Sequence, residues 1–151
     1  MHAPQSEKIA YAAALTGLAQ LPTPQWPDAL RNLYHAEVRW HGPHPINALQ
    51  GTHAVLKAFW EPFLAALPDV ERRDDLLICG AFKGGAWVGA TGHYTGTFTE
   101  DWLGIPATGG VVNFHYGEFS RLEAGKVCEV YLIVDILDVC VRSAGGHPDC
   151  R

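Results

Sequence analysis

The sequence predicts an α+β domain, and three observations carry that prediction. Helical spacing dominates the first third of the chain, the apolar period changes to two from Val70 onward, and the segments after it are long and joined by glycine turns. Helices followed by a run of antiparallel strands imply helices packed on one face of a curved sheet, which would enclose a cavity. The length agrees with this: 151 residues make one ordinary domain, read as spanning 1–151, with a single core.

The elements follow in order. Residues 6–20 read as a helix whose Ile9, Ala12, Ala13 and Thr16 make a small-residue face. Residues 21–27 hold three prolines and cannot continue it. Asp28 is placed to cap a short helix ending near Tyr34. Residues 37–41 read as a strand with Val38 and Trp40 on one face, and the prolines and glycine of 41–45 require a loop. A third helix opens at Gly51 with Thr52 as its cap. Its core stripe is Val55, Phe59, Phe63, Ala66 and Leu67; Pro62 should kink it and Pro68 ends it. Strands are predicted at 70–79, 86–97, 111–123 and 126–134, with hairpin turns at Lys83-Gly84-Gly85 and Ala124-Gly125. A glycine- and proline-rich loop with one tryptophan spans 101–110. Residues 136–143 read as a short closing helix, and the chain from Gly145 as a loose end.

Composition narrows the function. Eleven Lys and Arg against 16 Asp and Glu give a net charge of −5, so the basic footprint that nucleic-acid binding needs is missing. No apolar run is long enough to span a bilayer, and residues 1–20 lack the pattern of a signal peptide. Cys79, Cys128, Cys140 and Cys150 form no C-x-x-C pair and are read as reduced thiols in a cytoplasmic protein. Five Trp, five Tyr and six Phe beside eight His are many half-polar rings for a small core, and such rings suit the wall of a pocket for an organic ligand.

Three stretches carry a resemblance to a known family. They are Gly92-His-Tyr-Thr-Gly-Thr97, Leu103-Gly-Ile-Pro-Ala-Thr-Gly109, and Glu118-Phe-Ser-Arg121 with Gly125-Lys126. Together, over roughly residues 28–144, the sequence resembles the SnoaL-like polyketide cyclases of the nuclear transport factor 2-like superfamily. The resemblance implies a cone-shaped α+β barrel with a deep apolar pocket, dimerisation through the sheet, and ring closure by aldol chemistry without a cofactor. In that chemistry a carboxylate removes a proton beside a carbonyl and hydrogen-bond donors steady the enolate.

The resemblance also implies the site. The family's key Asp falls on the last strand at Leu132, and leucine cannot carry a proton. A second family position, His or an acid, falls at Glu118 on the preceding strand. Glu118 has two readings, into the pocket or out to solvent beside Arg121. Asp135 matches an acid often found before the final helix, and it can equally cap that helix. Strand alternation sends either His93 or its neighbour Tyr94 into the cavity, His93 as a proton shuttle near neutral pH. Tyr116 shares the face of Glu118 and would donate to developing negative charge. Trp40, where the family places a polar pocket residue, and His44 are read as the cavity rim. Trp60, Trp87 and Trp102 are read as wall or lid, with core packing as the other reading for each. The limonene epoxide hydrolase branch of the superfamily relies on an Asp-Arg-Asp set, of which Arg39 and Asp135 could supply part.

No serine-hydrolase elbow, phosphate loop or dinucleotide turn is present, and the spacing of His41 and His44 lacks metal-site geometry, so neither cofactor nor metal is expected. The sequence therefore reads as a cofactor-independent acid/base enzyme for a small hydrophobic carbonyl compound: a cyclase, isomerase, dehydratase or hydrolase. Glu118, Asp135, His93 and Tyr116 are its catalytic candidates. A binding protein using the same cavity without turnover is the alternative, and a homodimer is expected in either case.

Overall fold

The computed structural model describes residues 5–139. Its elements are α1 (Gln5–Gln20), a 3-10 turn (Thr23–Gln25), α2 (Trp26–Leu33), β1 (Tyr34–His41), β2 (Ala48–Gln50), α3 (Thr52–Val55), a π segment (Leu56–Trp60), α4 (Glu61–Ala66), β3 (Glu71–Phe82), β4 (Gly85–Thr97), β5 (Val111–Glu123) and β6 (Lys126–Val134). The six strands form one open sheet in the order β2-β1-β6-β5-β4-β3, antiparallel except for the parallel β1–β6 pair. The predicted α+β architecture, helices first and a run of long strands after, is what folds.

Local chemistry accounts for the connections. Lys83-Gly84 and Ala124-Gly125 each put two successive residues at positive φ, 48° and 76° in the first turn and 51° and 77° in the second. That is the primed turn whose twist matches that of the flanking strands. The kink expected at Pro62 takes the form of the π segment just before it. Pro62 then lies in the first turn of α4, where its missing N–H leaves no bond unmade.

Some boundaries move. α2 starts at Trp26, so Asp28 lies inside its first turn, paired with Arg31 at 2.6 Å, and does not cap it. Gly51, at φ 90°, precedes α3 in the cap position, and the Thr52 hydroxyl donates to the His35 carbonyl at 2.9 Å, tying this helix to β1. β2 is a three-residue edge strand too short to show a period. β3 runs on to Phe82, because β4 offers partners all the way to the turn. Residues 136–139 are helical; the rest of the predicted closing helix, Cys140, Cys150 and the chain from Gly145 lie outside the described residues.

The helices cover one face of the sheet. On that inner side the core is a continuous array of rings: Trp40, Trp60, Phe59, Phe63, Tyr94, Phe114 and Trp102, all buried. Among the described residues, no helix lies over the outer side. There Leu76, Ile78, Phe82, Phe119 and Ile133 stand exposed. Among the described residues, no helix is long and apolar enough to cross a membrane.

Candidate active site on the inner face of the sheet

β3 opens with Glu71-Arg-Arg-Asp-Asp75. Alternation sends Arg72 and Asp74 inward, and a bulge between Asp74 and Leu76 then resets the strand. Without that extra residue Leu76 would follow Asp74 inward; with it, Leu77 turns in and Leu76 and Ile78 turn out. Gly92 faces the bulge across β4. A Cβ there would lie 1.8 Å from the Arg73 carbonyl oxygen, so glycine is what lets the bulged backbone come so close.

The inward side chains assemble a buried polar cluster. Arg72 Nε donates to Asp74 Oδ1 at 2.8 Å, Nη2 to Glu118 Oε1 at 3.3 Å and Nη1 to the Tyr94 hydroxyl at 3.2 Å. The Tyr116 hydroxyl donates to the same Asp74 oxygen. The guanidinium carbon lies 4.6 Å from the centre of the Tyr116 ring and 5.9 Å from that of Tyr94. Two positions beyond Glu118 on β5, the Ser120 hydroxyl receives a hydrogen bond from Tyr11 of α1 at 3.0 Å. Glu118, Arg72, Tyr94, Tyr116, Ser120 and Tyr11 are all buried.

One guanidinium thus serves two carboxylates in a medium that would reject an unpaired charge. Burial works against the charge on Arg72, but Tyr94, Glu118, Tyr116 and Asp74 outweigh it and hold the guanidinium proton well above its ordinary range. The phenols move the same way. Burial pushes Tyr11, Tyr34, Tyr94 and Tyr116 upward. Glu118 adds to the rise for the first three, and the bond to Asp74 adds to it for Tyr116. At any physiological pH these four groups are neutral hydroxyls able to donate.

The other residues singled out in the sequence divide between the two faces. Glu118 takes its inward reading and pairs with Arg72; Arg121 is on the outer face with Glu129 and Glu123. Leu132 is buried and stands directly opposite Glu118 in the β5–β6 register. The position where the family places an acid is therefore next to one that carries a carboxylate. Tyr94 and Tyr116 are inside. Trp40 and Trp60 are core residues: Trp40 packs on Phe59 at 4.9 Å, and Trp60 packs on Phe59 at 4.9 Å and Trp26 at 6.3 Å between ring centres. Trp102 folds its loop down over the helices, 5.2 Å from Phe63. Among the described residues, the buried indole N–H groups of Trp40 and Trp102 have no partner.

Five pocket or site readings are corrected. Asp135 does not join the cluster: it is exposed, and its Oδ1 accepts the Asp138 N–H at 2.9 Å, capping the helical residues 136–139. His93 faces outward because alternation gives the inner position to Tyr94. Its Nδ1 meets Asp75 Oδ2 at 2.7 Å and its ring lies 4.1 Å from that of His115. Trp87 also faces outward, in an apolar groove of about 810 Å³ with Ile78, Phe82, Phe119 and Tyr131. His44 is exposed in the loop after β1, beside a second groove of about 670 Å³ that runs past Ile133 and Asp135. Arg39, the proposed arginine of an Asp-Arg-Asp set, is bound to Glu129 at 2.7 Å on the outer face. The carboxylate–guanidinium–carboxylate arrangement occurs inside instead, as Asp74–Arg72–Glu118.

The sequence reading missed Arg72, Asp74, Ser120 and Tyr11. A signal existed for the first two, since both alternate in register with the apolar Val70 at the start of a strand. Tyr11 and Ser120 meet only because α1 folds across the sheet. Among the described residues, no three His, Cys, Asp or Glu side chains gather to hold a metal ion.

The comparisons agree with the fold. A family model described as SnoaL-like polyketide cyclase matches residues 12–140. Several solved structures share the fold. A protein described as a SnoaL-like polyketide cyclase from Jannaschia sp. CCS1 is 19% identical with a TM-score of 0.76, over 95% of this chain and 94% of the other. AclR from Streptomyces galilaeus, described as a hydroxylase, is 18% identical with a TM-score of 0.71, over 94% and 98%. IdmH from Streptomyces antibioticus, described as a polyketide cyclase, is 18% identical with a TM-score of 0.70, over 89% and 97%. A comparison with curated protein sequences gives no match.

Proposed function

Because the chain belongs to the SnoaL-like polyketide cyclase family, we propose that it is a cofactor-independent acid/base enzyme acting on a small hydrophobic carbonyl compound, with Glu118 as the base. The observation that carries this is the setting of Glu118: a buried carboxylate beside Leu132, oriented by a guanidinium and surrounded by neutral phenols. Of the two inner carboxylates, Asp74 accepts from both Arg72 and Tyr116, while Glu118 has the longer bond to Arg72, 3.3 Å against 2.8 Å. Glu118 is the one freer to take a proton.

The step runs as follows. A proton beside the substrate carbonyl moves to Glu118, and the C–H electron pair is delocalised onto the carbonyl oxygen. Tyr94 would donate to that oxygen, and Tyr116 would do so on giving up its bond to Asp74. In a cyclisation the enolate carbon then attacks a second carbonyl of the same molecule, and the proton on Glu118 returns to the new alkoxide. In an isomerisation the proton returns to a different carbon. Arg72 aims Glu118; Asp74 aims Arg72 and Tyr116. The decisive experiment is deuterium wash-in: a panel of hydrophobic ketones and 1,3-diketones is incubated with the protein in D2O and followed by NMR. Exchange beside the carbonyl should fall at least about a hundredfold in Glu118→Gln. Equal exchange in the variant would remove the assignment, and ligand binding without exchange in either protein would favour the binding-only alternative.

The Asp74–Arg72–Glu118 arrangement favours one second reading, hydrolysis. Here Glu118 would take a proton from water as the water oxygen attacks the substrate, and a neighbouring acid or phenol would protonate the leaving oxygen.

The outer face is the proposed place for a second copy of the chain. Its exposed Ile78, Phe82, Phe119 and Ile133 form an apolar strip beside the Arg39–Glu129–Arg121 cluster, so the face offers both apolar area and opposite charges to a copy of itself. Cys79 and Cys128 are free thiols, which suits a reducing, cytoplasmic location.

A further inference from the structure

Glu118 and Arg72 keep 3% and 4% of their surface open; the groove on the outer face does not border them, and the groove beside His44 touches their neighbours Tyr116 and Leu132 but neither of the two themselves. A ligand that meets Glu118 must therefore displace an element. The strands are fixed by their ladders. The helical segment from Thr52 to Ala66 is anchored by Phe59, Trp60 and Phe63, all fully buried.

α1 is held differently. Its buried residues are Lys8, Tyr11, Leu15 and Leu18. Most of its other residues in the second and third turns are alanines, which add little buried area. Its C-terminal end is pinned: Trp26 Nε1 holds the Leu21 carbonyl at 3.1 Å and the Thr23 hydroxyl holds that of Pro68 at 2.6 Å. Pro22 and Pro24 interrupt the helical backbone at that point. Towards its N-terminal end, besides the packing of Lys8 and Tyr11, the side-chain hydrogen bonds from α1 to the sheet among the described residues are Tyr11–Ser120 at 3.0 Å and a long contact from the Cys79 thiol to the Lys8 carbonyl at 3.9 Å. A pinned end, a break in the helix and one short bond about ten residues away make a hinge and a latch.

We propose that α1 is a lid over the Arg72–Glu118 site, latched by Tyr11 on Ser120, and that its closing brings the Tyr11 hydroxyl to the ligand. Ser120 is two residues beyond Glu118 on the same face of β5, so the latch and the carboxylate border the same space. Burial and the charge of Glu118 keep the Tyr11 phenol protonated, so its one O–H, held by Ser120 when no ligand is present, can turn to a carbonyl oxygen arriving beside Glu118. The destination of the ligand rests on the role proposed for Glu118; the opening of α1 does not.

Amide hydrogen exchange read by mass spectrometry tests this on the full chain without any ligand. The whole of α1 should exchange as one unit, at least about tenfold faster than β4 and β5. Tyr11→Phe and Ser120→Ala, which break the latch from either side, should each speed α1 about fivefold further and leave β4 and β5 unchanged. Exchange of α1 only together with the sheet would overturn the lid. So would a graded profile, fast near Lys8 and slow near Leu18, which is fraying. Variants that speed every element equally would overturn the latch. A rigid α1 with deuterium wash-in lost in Glu118→Gln leaves the proposed chemistry standing without its lid; a mobile α1 with wash-in unchanged keeps the lid and removes the chemistry.

Discussion

The two faces of the sheet hold the same kinds of side chain in opposite surroundings. Inside, Arg72 joins Asp74 and Glu118, and Tyr116 donates to a carboxylate. Outside, Arg39 and Arg121 join Glu129, and Tyr131 donates to that carboxylate at 2.7 Å. The difference is solvent. Arg39, Arg121 and Tyr131 are within reach of water and ions, which screen each pair, although the Glu129 carboxylate they share is itself buried. The inner cluster has exchanged its hydration for mutual contacts, so each charge there depends on the others. The same residue types therefore tie the chain together on one face and decorate its surface on the other.

The largest effect should come from removing the arginine of each cluster in turn. Arg72→Met leaves two carboxylates buried without their cation and should cost about 3–5 kcal/mol. Arg39→Met, which removes a side chain that is 59% exposed, should cost no more than about 1 kcal/mol. Urea denaturation of both variants makes the measurement. Similar losses would mean that burial does not separate the two clusters.

How much of this was legible in the sequence also divides by face. The strands, both hairpin turns and the sharing of one face by Tyr116 and Glu118 follow from local pattern and turn chemistry, which is why they could be read. The inner position of Glu118 was one of two open readings, since alternation alone does not say which face of the sheet the helices cover. His93 was open for the same reason: it and Tyr94 are adjacent and must point oppositely, and only the packing of Tyr94 against Phe63 and Phe114 decides between them. Trp87 and His44 have the composition of pocket residues but sit where the sheet and the loop after β1 turn away from the interior. Arg72 and Asp74 escaped notice because a charged run at the start of a strand ordinarily marks a solvated end. The bulge that keeps both on the inner face depends on Gly92, 18 residues beyond Asp74 and on another strand. Asp135 illustrates the converse: an acid before a short helix is sufficiently explained by its cap.

The next effect concerns the outer face as a surface. Phe119 is 46% exposed, packs beside Gly89 and pairs with Tyr131 across β6. If a second copy covers this face, Phe119→Asp should weaken self-association by about 2 kcal/mol or more, a shift of at least about thirtyfold in the dimer constant. Analytical ultracentrifugation reads it, with the circular dichroism of the monomer unchanged. A wild-type chain that is monomeric at high concentration would break this half of the comparison, because the exposed apolar strip would then need another occupant.

The smallest effect is electrostatic and sharpens the same contrast. Burial pushes the Glu129 carboxyl upward, but the Tyr131 hydroxyl, Arg39 and Arg121 outweigh it and hold the group below the ordinary carboxylate range. A carboxyl that is more acidic folded than unfolded stabilises the fold above its unfolded value, about 4.3. That contribution is lost as pH falls through the lower folded value. Thermal melts from pH 6 down to pH 3 should therefore show a shallower loss of stability in Glu129→Gln than in the wild type. The whole difference should stay under about 1 kcal/mol, because water screens the cluster. The pair of arginine variants sets the scale for this result. A Glu129→Gln protein that loses as much at pH 7 as Arg72→Met would place Glu129 among the groups that cannot do without their partners, and the outer cluster would then be structural in the same sense as the inner one.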